Sequence, residues 1–346
     1  MRGDELNIYE GKALIGEELE ERNVRIVTEG QKIRSIEETG REYDTWICPS
    51  FFNSHTHLGD TVAMDIAFSG SLAEIVKPPG GLKHRILEQT PPELLKKAIR
   101  ASIQTMIRSG TSGCADFREG GAEGVKALME ASSGLPFSPV IFGREGGEFI
   151  AEGLGISSTK DVGNLETIVR EARQAGKKVA LHAGEKNDMD IEPALELEPD
   201  ILVHCTHATK EHMRRIADQG IPVVVCPRSN WILGVTGSGE RPPVRDMLDH
   251  GIEVLLGTDN VMMVQPDMFS EMSFLSTISK IGHESILRAA LHGSALFGKA
   301  TYLKEGNHAS FFLIDTPGTN LSFSKDMIKT IVNRISVPVR IQSVFS

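Results

Sequence analysis

Residues 176–185 read Gly176-Lys177-Lys178-Val179-Ala180-Leu181-His182-Ala183-Gly184-Glu185. A glycine, a short apolar run and a polar cluster follow one another, and the fold is read from this unit. The run Lys178–Leu181 is short and lacks polar alternation, as expected of a strand buried on both faces of a parallel sheet. Before it, residues 164–175 carry a helical pattern that stops at Gly176, a residue type suited to the left-handed turn that ends helices. The join recurs twice. A helical pattern over 210–219 stops at Gly220 before the apolar run 221–226, and one over 246–250 stops at Gly251 before the run 252–256.

Further runs extend the pattern: 46–52, 201–203, and the plausible strands 111–117 and 138–142. A helix over 92–109, with Thr90 available as its cap, separates the first two in chain order. Strands alternating with helices predict an α/β architecture with a parallel sheet. The chain has 346 residues, which suits a TIM-type (β/α)8 barrel of ~250 residues with a small accessory domain. If there are eight strands, the weak segment 153–157 must be the fourth. Residues 1–49 and 306–346 read differently. They hold short alternating segments (24–29, 32–37, 310–314, 337–344) and suggest a small β-sandwich domain built from both termini around a barrel over 50–305.

Composition narrows the function classes. The chain is 40% apolar and 24% charged, with a net charge of −10. That is globular, and it argues against a general nucleic-acid or acidic-membrane surface. No apolar run is long enough to span a bilayer, and Met1–Glu5 leads into a charged stretch without a signal-peptide core. Cys48, Cys114, Cys205 and Cys226 are scattered, with no Cys-x-x-Cys pair, as expected of free thiols in a reducing cytoplasm. The expected partner is a small-molecule substrate. A homo-oligomer is left open.

The chemistry lies where the apolar runs end. The first leads to Ser54-His55-Thr56-His57, residues 178–181 lead to His182-Ala183-Gly184-Glu185, residues 201–203 to His204-Cys205-Thr206-His207, and residues 252–256 to Gly257-Thr258-Asp259. Residues i and i+2 share a strand face, so His55 and His57 can bind one ion. Each feature alone is commonplace: an isolated His-x-His pair is usually not a metal site, and an Asp after a strand is often a cap. All of them ending strands in one chain order is much harder to explain without a metal. In a barrel these ends converge on one rim. Three imidazoles and a carboxylate suit one divalent ion, zinc first and iron(II) second, with an open position for water.

This order of motifs resembles the amidohydrolase superfamily, and most closely its deaminase/chlorohydrolase branch. His182-Ala183-Gly184-Glu185 is similar to the motif of adenosine deaminases. The resemblance covers about residues 45–300. It implies a distorted (β/α)8 barrel, His55, His57, His182 and Asp259 as metal ligands, and Glu185 and His204 as catalytic groups outside the ligand set. No lysine suits a two-metal bridge on the fourth strand, which favours one ion.

The expected reaction is hydrolysis of a carbon–nitrogen bond by metal-activated water, with Asp259 taking a proton, His204 orienting the nucleophile and Glu185 protonating a ring nitrogen. Deamination of a heterocycle is the first reading, hydrolysis of a cyclic amide such as an imidazolone-like ring the second, and an inactive metal-binding scaffold the third. Arg118, Arg144 and Arg228, with Asn230, stand near the predicted rim and could bind an anionic substrate. The competing expectation is that Arg118 and Arg144 pair with Glu119 and Glu145. The stretch 60–85 is long enough to be a lid. Trp231 could stack on a ring or pack, and His207 reads as structural.

Overall fold

A computed structural model describes residues 6–66, 74–75, 80–160, 163–238, 240–299, 302–335 and 341–344. The chain opens with β1 (Leu6–Ile15), β2 (Glu20–Glu29), β3 (Lys32–Glu38) and β4 (Thr45–Pro49). The second sheet follows: β5 (Phe51–His57), β6 (Thr111–Arg118), β7 (Ser138–Gly143), β8 (Gly153–Ile156), β9 (Lys178–Ala183), β10 (Ile201–His204), β11 (Val223–Val225), β12 (Val254–Leu256) and β13 (Asp259–Asn260). Two strands near the C-terminus, β14 (Phe311–Asp315) and β15 (Ile341–Val344), return to the first sheet.

The long sheet runs β12-β11-β10-β9-β8-β7-β6-β5-β13, with every neighbouring pair parallel. Its two outer members are pieces of one strand. Only Gly257 and Thr258 separate β12 from β13. The Gly257 N–H bonds to Val225 O at 3.0 Å on one side, and the Thr258 N–H bonds to His55 O at 3.1 Å on the other. The eighth strand therefore breaks and passes its pairing from β11 to β5, which closes the barrel. Asn53 holds the break: its Nδ2 donates to Thr258 Oγ1 at 2.7 Å and its Oδ1 accepts from Thr258 N at 3.0 Å, all buried. The weak segment after β7 is indeed the fourth barrel strand.

Period-two alternation sorts the strand residues. Ala180, Val203, Val224 and Leu255 join Phe52, Phe117 and Phe142 in one cluster filling the barrel. Their neighbours Val179, Leu181, Leu202, Val223, Val225 and Leu256 belong to the larger cluster formed with the surrounding helices. The helix Pro92–Arg108 buries Ile99, Ile103 and Met106 against the barrel with Cys114 and Ile141.

One expectation is corrected. The apolar run 46–52 is two strands in two sheets. β4 lies in the small sheet, Ser50 N bonds to Ser310 O, and β5 starts the barrel. Both strands are buried, so hydropathy runs on unbroken. The ladder of β4 stops at Pro49, which has no N–H to continue it.

The small sheet runs β15-β14-β4-β1-β2-β3, so strands from both ends of the chain share it. The strands expected to form a sandwich thus belong to one six-stranded sheet with its own core of Ala13, Val24, Ile26, Ile33, Ile47 and Phe311. The helix Met327–Arg334, between β14 and β15, packs on the barrel helices Met268–Ser279 and His283–Leu291. Of the stretch 60–85, the structure describes a 3-10 turn at Leu58–Ala63 and the start of a helix at Leu82–Gln89. Residues 67–73 and 76–79 lie outside the described residues, as do 1–5 and 336–340. Among the described residues no helix is long and apolar enough to cross a membrane.

Asn53→Ala should leave the Thr258 hydroxyl buried without its partner and the Thr258 N–H with His55 O alone, at a cost of about 1–3 kcal/mol. The expected result is a lower urea midpoint at unchanged slope. An unchanged midpoint would mean that the broken strand is held by other contacts.

Candidate metal centre

All the site residues on these strands but His182 need a local departure from regular strand geometry. On β5 the pairing with β6 shifts register between Asn53 and Thr56. This irregularity resets the alternation after Phe52, so that His55 and His57 face the interior in place of Ser54 and Thr56. On β10 the inward residues are Ile201 and Val203, which would send His204 outward. His204 has φ +76 and Cys205 φ +46, a left-handed turn that swings the imidazole back in. Asp259, after the strand break, has φ +60. Non-glycine residues pay for such φ values, and they concentrate where function holds them. His182 alone follows regular alternation, two residues after the inward Ala180.

These departures bring six side chains together. His182 Nε2 lies 3.2 Å from His55 Nε2. Asp259 Oδ1 lies 3.2 Å from His55 Nε2 and 3.5 Å from His57 Nε2. Glu185 Oε1 lies 3.8 Å from His204 Nε2. Three overlapping sets, His55–His182–His204, His55–His57–Asp259 and Glu185–His204–Asp259, each keep their ligand atoms within 4.8 Å of one another.

The protonation pattern is that of a cation site. His182 Nδ1 is 2.8 Å from the carbonyl of Ile156, and His57 Nδ1 is 3.0 Å from Glu119 Oε1. Both partners only accept, so each Nδ1 carries the proton and each neutral ring presents a bare Nε2. Burial lowers His55, His182 and His204 and takes His57 down to about 3, which keeps the rings neutral. Burial would raise Asp259, but His55, His204 and His57 outweigh it and hold the carboxyl well below its usual range. The bare Nε2 atoms of His57 and His182 then face the Asp259 carboxylate and the ring of His55 in a buried space. That acceptor-rich set is one a positive ion would complete. The donor set suits a divalent metal.

Comparison with known proteins agrees. The family model for adenosine deaminase matches residues 156–300, and that for the amidohydrolase family matches residues 46–147. A putative aminohydrolase of Methanothermobacter thermautotrophicus is 33% identical over 95% of this chain and 94% of its own. The chain belongs to the amidohydrolase superfamily, in its deaminase branch. It is accordingly a hydrolase acting on carbon–nitrogen bonds. A 5-methylthioadenosine/S-adenosylhomocysteine deaminase of Haloarcula marismortui is 25% identical over 82% of this chain and 76% of its own. The solved structure of a zinc-complexed atrazine chlorohydrolase from Arthrobacter aurescens shares the fold, with a TM-score of 0.79 at 16% identity over 98% of this chain and 93% of that one.

In this amidohydrolase the arginines expected at the rim are held by protein groups. Arg118 is buried, with Nη1 3.3 Å from Asp116 and Nη2 2.6 Å from Glu119. Arg144 reaches Glu119 at 2.8 Å and does not pair with Glu145, the partner its sequence neighbourhood suggested. Arg228 bonds Glu271 at 2.6 Å and the carbonyl oxygens of Gln265 and Asp267. It ties the loop after the eighth strand to the helix Pro227–Ile232. Successive residues on a helix turn by about 100°, so its neighbour Ser229 is the one that faces the site. Ser229 Oγ donates to Asp259 Oδ2 at 2.6 Å. Asn230 bonds Thr206 Oγ1 at 2.6 Å. His207 bonds Val235 O at 3.0 Å, a loop contact. Trp231 packs edge-on against Phe274, with centroids 5.8 Å apart.

The sequence reading did not identify Ser229 and Glu119 as site residues. The one available signal was Asp116-Phe117-Arg118-Glu119: three charges ending an apolar strand are costly to bury unless they serve one another.

A Cβ at Gly257 would stand 2.7 Å from both the Cβ and the N of His55. Gly257→Ala should push His55 out of place. Metal sites tolerate only ~0.5 Å of ligand displacement, so the variant should retain much less metal after dialysis, measured by elemental analysis. Stoichiometric retention would show that β5 yields without moving the ring.

Proposed function

We propose that this amidohydrolase binds one divalent ion, zinc, through His55, His57, His182 and Asp259, and deaminates a heterocyclic small molecule by hydrolysis. The observation that carries the reading is the position of Glu185. It follows a ligand-bearing strand end by one turn, at Gly184 (φ +68), and stands with His204 and Asp259 at the metal set. Burial, and then the charge of Asp259, push its carboxyl up to about 8. It therefore holds a proton at neutral pH, as a general acid must.

When bound, the ion supplies the Lewis acidity that makes water a nucleophile near neutral pH. Asp259 Oδ1 accepts a proton from the attacking water, while Ser229 fixes its other oxygen. His204, turned inward by its strained backbone, orients the nucleophile and stabilises charge developing on it. Glu185 gives its proton to the ring nitrogen next to the attacked carbon, which removes the double bond and yields a tetrahedral centre. Glu185 then takes the hydroxyl proton as the carbonyl forms. The exocyclic amine leaves as ammonia, carrying the proton held by Asp259. Substrate and water thus give a ring lactam and ammonia, and every residue returns to its starting state. Amide hydrolysis by the same groups would release no ammonia, and the arginines that recommended a carboxylated cyclic amide are bound to protein groups.

The test is a panel of aminated heterocycles, neutral and anionic, offered to the zinc-loaded protein with ammonia as the readout. A chelator should abolish turnover and added zinc should restore it. Glu185→Gln should lower kcat by ~10²–10⁴, the usual contribution of a general acid. Parental turnover by that variant would remove Glu185 from the mechanism. Product formation without ammonia would replace deamination with ring opening.

A further inference from the structure

Behind His57, on the side away from the other ligands, lies a group of charges with no assigned role. Asp60, Asp116 and Glu119 meet Lys83, Arg118 and Arg144 there. All are buried except Arg144, which is 15% exposed at its side chain. The hub is Glu119. Its Oε1 accepts from His57 Nδ1 at 3.0 Å and Arg144 Nη2 at 2.8 Å, and pairs with the Lys83 ammonium at 2.9 Å. Its Oε2 accepts from Arg118 Nη2 at 2.6 Å. An ionised carboxylate offers about four acceptor sites; here three hydrogen-bond donors and one ammonium converge on it, three on Oε1 and one on Oε2. Lys83 is itself anchored to Asp60 at 2.9 Å, and Arg118 to Asp116. Three negative and three positive groups balance, so the cluster can be buried without net charge. Even the backbone makes room: a Cβ at Gly59 would stand 2.2 Å from Arg118 Nη2.

We propose that Glu119 is a positioning residue for the metal, acting through His57. By accepting the Nδ1 proton it fixes the tautomer and the ring plane, so that Nε2 is the donor atom. The three cations have a separate task. A free carboxylate this close to a divalent ion would compete to become a ligand itself. Held by its three cationic partners, Glu119 stays behind the imidazole and does not swing towards the ion. Lys83 comes from the helix that follows the stretch 60–80, and Arg118 and Arg144 come from the ends of β6 and β7. The second and third barrel strands and that helix are thereby joined to a ligand on the first strand.

This inference rests on the reading of His57 as a ligand, and the test separates the two. Zinc is stripped from the full-length protein and returned in chelator-buffered steps, for the parent and for Glu119→Gln. Loss of an outer partner of a ligating histidine typically weakens metal binding ~10–100-fold, and Glu119→Gln should fall in that range. A merely structural Glu119 would lower the melting temperature of the zinc-free protein and leave zinc affinity unchanged, which overturns the proposal. If the parent binds no zinc, the metal reading and this inference fall together. If Glu119→Gln does not fold, the parent still decides. Histidine-selective ¹⁵N NMR of the zinc-loaded chain should show His57 protonated at Nδ1 and shifted by zinc at Nε2, and the opposite tautomer overturns the proposal.

Discussion

Two imidazole nitrogens of known tautomer, on His57 and His182, present lone pairs towards a buried carboxylate and a third imidazole. This unfavourable meeting is the constraint on which the arrangement of the rest turns. A buried set of acceptors with nothing to accept from costs several kcal/mol unless a cation completes it. Everything nearby serves to keep the acceptors bare and aimed. The Ile156 carbonyl and Glu119 take the distal ring protons, Ser229 takes one oxygen of Asp259, and Asn53 fixes the strand break that carries Asp259.

The barrel supplies convergence, but an ideal barrel would not supply these residues. Strict alternation would send His204 outward and put Ser54 and Thr56 inside. A register shift on β5, left-handed residues at His204, Cys205 and Asp259, and a broken eighth strand repair this. Such defects cost stability locally. The uninterrupted apolar packing of β9, β10 and β11 on the surrounding helices offsets them.

Charge is handled differently on the two sides of the metal set. Beside His204 and Asp259, Glu185 lacks a strong cationic partner, and burial, then the charge of Asp259, push its carboxyl up to about 8. Behind His57, Glu119 is surrounded by Lys83, Arg118 and Arg144 and acts only as an acceptor. Two glutamates, one against His57 and the other beside His204 and Asp259, thus shift in opposite directions because their neighbours differ. The arginines that the sequence offered as substrate groups are each paired with a protein carboxylate, Arg118 and Arg144 with Glu119 and Arg228 with Glu271.

The sequence by itself determined the βα repeat and which strand ends carry His55, His57, His182, His204, Glu185 and Asp259, the side chains that the structure brings together. Short apolar runs, terminal glycines and polar strand ends are local signals, and local signals survive in one dimension. It also placed strands from both ends of the chain together, since their alternation differs from that of the barrel. It could not divide residues 46–52 between two sheets, because burial on both sides hides the change of partner. Nor could it decide which way Arg118, Arg144 and Arg228 point. A guanidinium at a strand end can turn to substrate or to a carboxylate. Here that choice was made by Glu119 and Glu271, the first of which also serves His57 and the second of which lies 43 positions from Arg228. Those meetings exist only once the barrel has closed.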